Sequence, residues 1–339
     1  MARVLLSGYY GFGNLGDEAL LSGLLHGLRA RGHQVTVLSA DPAGTWALHG
    51  VAAVHRVRGV LLALLRHDAL VSGGGGLLQD KTSARSLRYY LGLISLAQRL
   101  GKRAVVYGQS VGPLSPVGRV AVARALRRVP VAVRDETSRR VLRALDIDAA
   151  LAADAALLLE ASPREPQADA PLLLVPRGGY PEITEGLIYL GQALVSRGQR
   201  VAALAIHEAE DGPCVDAMRR ELPSLRVLAA ASPAEALAQV AGARYVVSGR
   251  LHGLILAAVA HLGFSGLVYD PKVAAFLQEA GRPAHALPLD HARLVADVLD
   301  PRPLELDKLA VLKGRAEAGL DWLDGALGGG AKKGQRGRG

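Results

Sequence analysis

Ala243-Arg244-Tyr245-Val246-Val247-Ser248-Gly249-Arg250-Leu251-His252-Gly253-Leu254 opens into a second apolar, alanine-rich run that ends at Leu262. A short β-branched run, a glycine-flanked turn and a longer helix-compatible segment read as strand, tight loop and helix. In that geometry Arg250 and His252 fall in the loop or the first helical turn, where unpaired backbone N–H groups and the helix dipole favour an anion. Arginine adds a planar, permanently charged fork suited to carboxylate or phosphate, and histidine a proton carrier for pH near neutral. The pair reads as an anion site with acid/base chemistry beside it. An Arg-x-His this short also admits a plainer reading, in which Arg250 caps the loop and His252 is an ordinary polar residue.

Working outward, the same strand, glycine turn and helix recur. Val4–Ser7 is a strand followed by Gly8-Tyr9-Tyr10-Gly11-Phe12-Gly13-Asn14-Leu15-Gly16-Asp17-Glu18 and a helix to about Arg31. Gly11-x-Gly13-x-x-Gly16 matches a dinucleotide fingerprint, but Asp17 and Glu18 put two carboxylates where a pyrophosphate would rest, so the turn reads as a site for a hydroxyl-bearing ligand. Capping of the helix start is the other role open to Asp17. Gln34–Ser39 is a second strand, and Ala69–Ser72 another. It is followed by Gly73-Gly74-Gly75-Gly76-Leu77-Leu78-Gln79-Asp80, expected to be a loop where a ligand nears the main chain or a flexible turn. Tyr89–Leu100 is an apolar helix, Ala104–Tyr107 a strand ending in Gly108-Gln109-Ser110-Val111-Gly112-Pro113, and Val131–Val133 a strand leading into Arg134-Asp135-Glu136-Thr137-Ser138. Beyond the proline-containing Ser162–Pro171 a second set begins: Leu172–Val175, Arg200–Ile206, Arg226–Leu228, Ala243–Val247 and Gly266–Val268, the last opening into Tyr269-Asp270-Pro271-Lys272.

Such repetition predicts parallel doubly wound sheets with ligands at the strand C-terminal ends. The 339 residues exceed one ordinary core, so two domains are expected. The expectation is an α/β protein of two Rossmann-like, doubly wound domains facing a cleft. Residues 1–162 form the N-terminal domain, 163–171 a linker, 172–303 the C-terminal domain, 304–327 a closing helix and 328–339 a disordered basic tail. Half the residues are hydrophobic and only 4% aromatic, the composition of small-residue helices on aliphatic strands rather than an aromatic-rich sandwich. The single cysteine, Cys214, excludes an intramolecular disulfide and a multi-cysteine metal cluster. Met1-Ala2-Arg3 leads straight into a strand, so no signal peptide is expected, and no apolar run has transmembrane length. A cytoplasmic enzyme follows, with peripheral contact at the inner face of the plasma membrane open to it. Of the formal +9 charge, Lys332, Lys333, Arg336 and Arg338 lie in the tail. They read either as a solvated terminus or as a nonspecific contact for anionic lipid or nucleic acid; no interleaved aromatics mark a specific nucleic-acid platform.

Seven segments in order, Gly8–Leu20, Ser72–Asp80, Tyr107–Pro113, Val133–Ser138, Ala153–Leu159, Arg250–Leu254 and Tyr269–Phe276, together resemble the polysaccharide pyruvyltransferase family, in particular its CsaB-type branch acting on secondary cell-wall polymers of bacteria with surface layers. The resemblance runs from about residue 4 to 280. It implies a GT-B-like architecture and transfer of an enolpyruvyl-derived group from phosphoenolpyruvate to a sugar as a pyruvyl ketal. Matched by motif, Asp17 is the acidic residue of the first loop, Arg134 the arginine before the Asp-Glu pair, Arg250 and His252 the Arg-Leu-His element, and Lys272 the lysine after Tyr-Asp-Pro. Relatives have a Ser-Leu-Arg-Pro-Trp-like stretch where this chain has Val175-Pro176-Arg177-Gly178-Gly179, so only the arginine matches. The expected site is His252 and Asp17 as catalytic groups, with Arg250, Arg134, Lys272, Arg177, Asn14, Gly75 and Gln79 binding substrate.

Phosphoenolpyruvate carries a carboxylate and a phosphate, which arginines bind and orient bidentately. In this reading His252 delivers a proton to the methylene carbon, Asp17 takes one from a sugar hydroxyl, and Lys272 stabilises the departing phosphate. No metal or further cofactor is expected. The expected acceptor is a lipid-linked amino sugar, N-acetylmannosamine. The same cleft suits a GT-B glycosyltransferase with a nucleotide-sugar donor, the rival expectation, and a third is a glycan-binding protein with a decayed site.

Overall fold

A computed structural model of the chain describes residues 1–81, 83–161, 169–302 and 304–328. Most of the expected linker, and all of the expected tail but its first residue, lie outside the described residues.

The first sheet is built from β1 (Arg3–Ser7), β2 (Gln34–Ser39), β3 (Ala52–His55), β4 (Ala69–Leu78), β5 (Arg103–Val111), β6 (Val131–Val133) and β7 (Ala150–Leu151). All pair in parallel, in the order β3-β2-β1-β4-β5-β6-β7. Its helices are α1 (Leu15–Ala30), α2 (Pro42–His49), α3 (Val60–Arg66), α4 (Ala84–Arg99), α5 (Pro116–Leu126) and α6 (Glu136–Arg143). Side-chain oxygens of Asp41, Ser83, Ser115 and Asp135 accept the first free N–H groups of α2, α4, α5 and α6, which fixes where those helices begin.

The second sheet, also parallel throughout, runs β10-β9-β8-β11-β12-β13. Its strands are β8 (Leu172–Val175), β9 (Val201–Leu204), β10 (Arg226–Leu228), β11 (Tyr245–Ser248), β12 (Gly263–Val268) and β13 (Ala284–Ala286). The helices are α7 (Pro181–Val195), α8 (Glu208–Glu221), α9 (Pro233–Ala241), α10 (Leu251–Val259), α11 (Pro271–Glu279), α12 (His291–Leu299) and α13 (Leu306–Gly328). Every residue of β8, β9 and β11 is buried, because helices cover both faces of a parallel sheet. The class is therefore the expected one: two Rossmann-like, doubly wound parallel α/β sheets.

In an open parallel sheet the crevice for a ligand lies outside the strand C-terminal ends where strand order reverses. That point falls between β1 and β4 in the first sheet and between β8 and β11 in the second. The four glycines do not form the loop expected of them. β4 continues through them to Leu78, still paired with β5, with Gly74 and Gly75 at φ 58° and 81° and a register shift between Gly75 and Leu78. Glycine permits this left-handed bulge inside a ladder, so the backbone kinks without ceasing to be a strand.

The compact units also differ from the contiguous boundaries expected. One consists of Met1–Gly11, Leu24–Asp154 and Arg315 onward; the other of Phe12–Gly23 and Ala155–Gly314. The first loop and the first half of α1 thus belong with the second sheet, and the last half of α13 with the first.

Candidate active site

Ser248 ends β11, and its Oγ both accepts from Arg250 N at 2.9 Å and donates to Arg250 O at 2.7 Å. This two-way clasp sets Arg250 as the extended N-cap of α10, with φ −100° and ψ 130°. Its guanidinium points into carboxylates. Nε donates to both Asp211 oxygens, at 3.1 and 2.9 Å, and Nη2 to Asp211 Oδ1 at 2.6 Å and Glu210 Oε2 at 2.8 Å. A charge buried to 9% exposure requires such pairing.

Asp211 is the hub. With 0% exposure, it also accepts from Gly178 N at 2.9 Å and His207 N at 3.0 Å. One carboxylate therefore ties together the turns after β8, β9 and β11. Glu210 bridges outward: it pairs with Arg177 Nη1 as well as Arg250, and His207 Nδ1 stands 3.4 Å from its other oxygen. Burial opposes its ionisation, but the hydrogen bond from Arg250 and the charges of both arginines prevail and bring its carboxyl down to about 2. The Arg177 guanidinium lies 5.8 Å from the Tyr180 ring centroid and 5.7 Å from that of Tyr269, and the two rings are 4.4 Å apart. Burial works against its charge, yet the neighbouring Tyr269 and Glu210 leave its pKa raised.

The first loop joins this cluster through the main chain. Leu15 N donates to Ile206 O at 2.9 Å and Asn14 makes an antiparallel bridge with His207. Asn14 Oδ1 accepts from Gly16 N at 3.0 Å, and its Nδ2 donates to Asp17 Oδ2 at 2.6 Å, so Asp17 is held in the first turn of α1. The His252 ring lies on Gly16: a Cβ there would stand 2.2 Å from His252 Nδ1. Lys272 begins α11 after β12, its Nζ 3.6 Å from Asp270 Oδ2.

Six expected residues, Asn14, Asp17, Arg177, Arg250, His252 and Lys272, thus sit in one compact unit, on the first loop and the turns after β8, β11 and β12. The other three belong to the first sheet. Gly75 lies in the β4 bulge and Gln79 just beyond it. Arg134, after β6, donates from Nε to Ser110 Oγ at 2.7 Å and from Nη1 to Asp154 Oδ2 at 2.6 Å. Sequence reasoning missed Glu210, Asp211 and His207. Glu208, Glu210 and Asp211 resemble any acidic first turn complementing a helix dipole, and nothing local marks the two that face arginines. Among the described residues no group of His, Cys, Asp or Glu is arranged to hold a metal ion.

The chain is similar in fold to HepE of Anabaena in complex with UDP (TM-score 0.65, 10% identity, covering 96% of this chain and 100% of that one). It is likewise similar to a glycosyltransferase of Rickettsia africae (0.59, 9%, 96% of each) and to the calicheamicin glycosyltransferase CalG4 (0.56, 16%, 98% and 100%). No curated protein sequence matches it. The likeness defines the fold: two Rossmann-like units of GT-B type. The family model of polysaccharide pyruvyl transferases matches residues 14–271, more than half the chain, and the chain belongs to that family. It is a pyruvyltransferase of polysaccharide biosynthesis.

Proposed function

We propose that the pyruvyl donor is phosphoenolpyruvate and the acceptor a lipid-linked amino sugar, N-acetylmannosamine of a secondary cell-wall polymer that anchors a surface layer, as in the CsaB-type branch. The observation that carries this reading is the pair of arginines at the switch point of the second sheet, Arg177 and Arg250, next to the turn that bears His252 on Gly16 beside Asp17. Arg250 makes its hydrogen bonds through Nε and Nη2, which leaves the Nη1 edge for the donor's carboxylate or phosphate. Asn14 and Lys272 complete the substrate-binding set of this unit.

Chemically, His252 gives a proton to the methylene carbon as one sugar hydroxyl, relieved of its proton by Asp17, adds to the adjacent carbon. A second hydroxyl then displaces phosphate, which leaves with that hydroxyl's proton next to Lys272. Two hydroxyls and one phosphoenolpyruvate become one ketal and one phosphate. The pyruvyl carbon exchanges its phosphate oxygen for two sugar oxygens with no net oxidation or reduction, so the proposed reaction calls on no redox cofactor. Such a reaction on a lipid-linked precursor belongs at the cytoplasmic face of the plasma membrane. No helix among the described residues is long and apolar enough to cross a membrane.

Incubation with phosphoenolpyruvate and the lipid-linked disaccharide should release phosphate and add the mass of one pyruvyl ketal. Protection against thermal unfolding by a nucleotide sugar, with none from phosphoenolpyruvate, would instead favour a glycosyltransferase, the activity named for two of the solved proteins similar in fold.

A further inference from the structure

Helix α3 is VLLALLR from Val60 to Arg66, apolar at every position but the last. Val60, Ala63 and Leu64 are buried in the core of the first sheet with Leu5, Leu38 and Leu70. Successive helical residues advance by about 100°, so Leu61, Leu62 and Leu65 fall together on the opposite face. Their exposures are 56%, 54% and 52%, and Val57 on the preceding turn is 65% exposed. A helix apolar all round is ordinarily buried in protein or lipid, and a contiguous exposed patch of large aliphatics marks an interaction surface.

The charge around the patch points to the occupant. Residues 42–67 contain no Asp or Glu, but hold Arg56, Arg58 and Arg66 and three histidines. Arg58 and Arg66 flank the leucine face and are exposed. Tyr89 Oη donates to Arg56 O at 2.6 Å, which holds the start of α4 beside this turn, and Arg85, four residues before Tyr89 on the same helix face, is exposed too. The acids that bracket the segment are committed elsewhere. Asp41 caps α2, and Asp68 pairs with Arg3 at 2.9 Å, on which account its carboxyl is held down to about 2.

We infer that the outer face of α3, Leu61, Leu62 and Leu65 with Val57, ringed by Arg58, Arg66 and Arg85, is a docking surface for an anionic lipid bilayer. The leucines enter the headgroup–acyl boundary and the arginines meet lipid phosphates. A protein partner or second copy would have to tolerate a rim of one sign, whereas an anionic bilayer complements it. The inference stands on this surface alone and its test needs no turnover.

The experiment is flotation of the full-length chain with phosphatidylglycerol–phosphatidylcholine vesicles and with phosphatidylcholine alone. The wild type should float with the anionic vesicles at low salt and much less with neutral ones. The triple variant Leu61→Ser, Leu62→Ser, Leu65→Ser should lower partitioning about tenfold or more at an unchanged melting temperature, since these side chains face water. Arg58→Ser with Arg66→Ser should lower it too and flatten its salt dependence. A chain lacking residues 329–339 should still float. Any of three results would overturn the proposal: no flotation of the wild type, undiminished flotation of the triple variant, or a concentration-dependent dimer in sedimentation that the triple variant abolishes, which would make a second copy the occupant.

Discussion

Half the Arg250 fork is given to Asp211 and Glu210, so under the proposed role the guanidinium is oriented before a substrate anion arrives. Arg250→Ala should weaken phosphoenolpyruvate binding by about 1.5–3 kcal/mol for a lost charge-assisted hydrogen bond, read by calorimetry. Asp211→Ala acts on stability instead: it strands a buried arginine and should cost about 3–5 kcal/mol in urea unfolding. His252 is assigned a proton that moves only during reaction. His252→Ala should therefore cut kcat by about 10²–10⁴ with little change in donor affinity. Equal loss of donor affinity in the Arg250 and His252 variants, with kcat untouched, would reduce the whole element to an anion clamp. Gly16→Ala provides an independent check on the same ring. The new methyl would stand 2.2 Å from His252 Nδ1, so the ring must swing away. Turnover should drop about 10²-fold, the scale of a misplacement of about 1 Å, while the helix itself tolerates alanine well.

At the scale of elements, the same substitution should have opposite signs in β4 and α4. Gly75 has φ 81° inside a paired strand, so Gly75→Ala should destabilise by about 1–2 kcal/mol. Gly92 lies within α4, and a Cβ there meets nothing within 4 Å, so Gly92→Ala should stabilise by up to about 1 kcal/mol. Thermal melts of the two variants decide the matter, and two shifts of the same sign would show the bulge to be misread. The glycine run itself was visible in the sequence, but the strand continuing through it was not. Four glycines announce freedom of φ without saying whether a neighbouring strand will use it, and here β5 supplies the ladder.

For the whole molecule, Glu210 should contribute a share of the acid sensitivity. Its carboxyl titrates at about 2 rather than the ordinary 4.5. A depressed carboxylate stabilises the fold above its ordinary pKa, and that stabilisation drains away as pH falls from about 4.5 toward about 2. Glu210→Gln should flatten the loss of stability across that window, and a parallel pH profile would refute the assignment. With a side chain 43% exposed, the effect should shrink in high salt. The last helix binds the fold from the other end of the chain. Tyr107 Oη donates to Ala316 O at 3.4 Å, His33 Nε2 lies 2.9 Å from Asp324 Oδ1, and Leu323 is fully buried. Leu323→Ala should cost about 2–5 kcal/mol, measured in urea.

The sequence alone determined the α/β alternation, the parallel sheets and the turns that carry polar side chains, since each follows from local periodicity and from glycine and proline chemistry. Strands such as Gln34–Ser39, Val131–Val133, Leu172–Val175 and Arg226–Leu228 were legible to the residue, because each is a short β-branched or aliphatic run with abrupt ends. Strand order was not legible, and strand order picks the ends of β8 and β11 as the switch point. Nor was the attachment of Asn14 and Asp17 to the second sheet, which depends on a main-chain bridge to Ile206 and His207 nearly two hundred residues away. Only the tertiary structure decided that two carboxylates in an unremarkable helix turn, Glu210 and Asp211, would hold the arginine fork of Arg250, because burying that charge demands partners and only the placement of the start of α8 beside the turn after β11 says which acids are within reach.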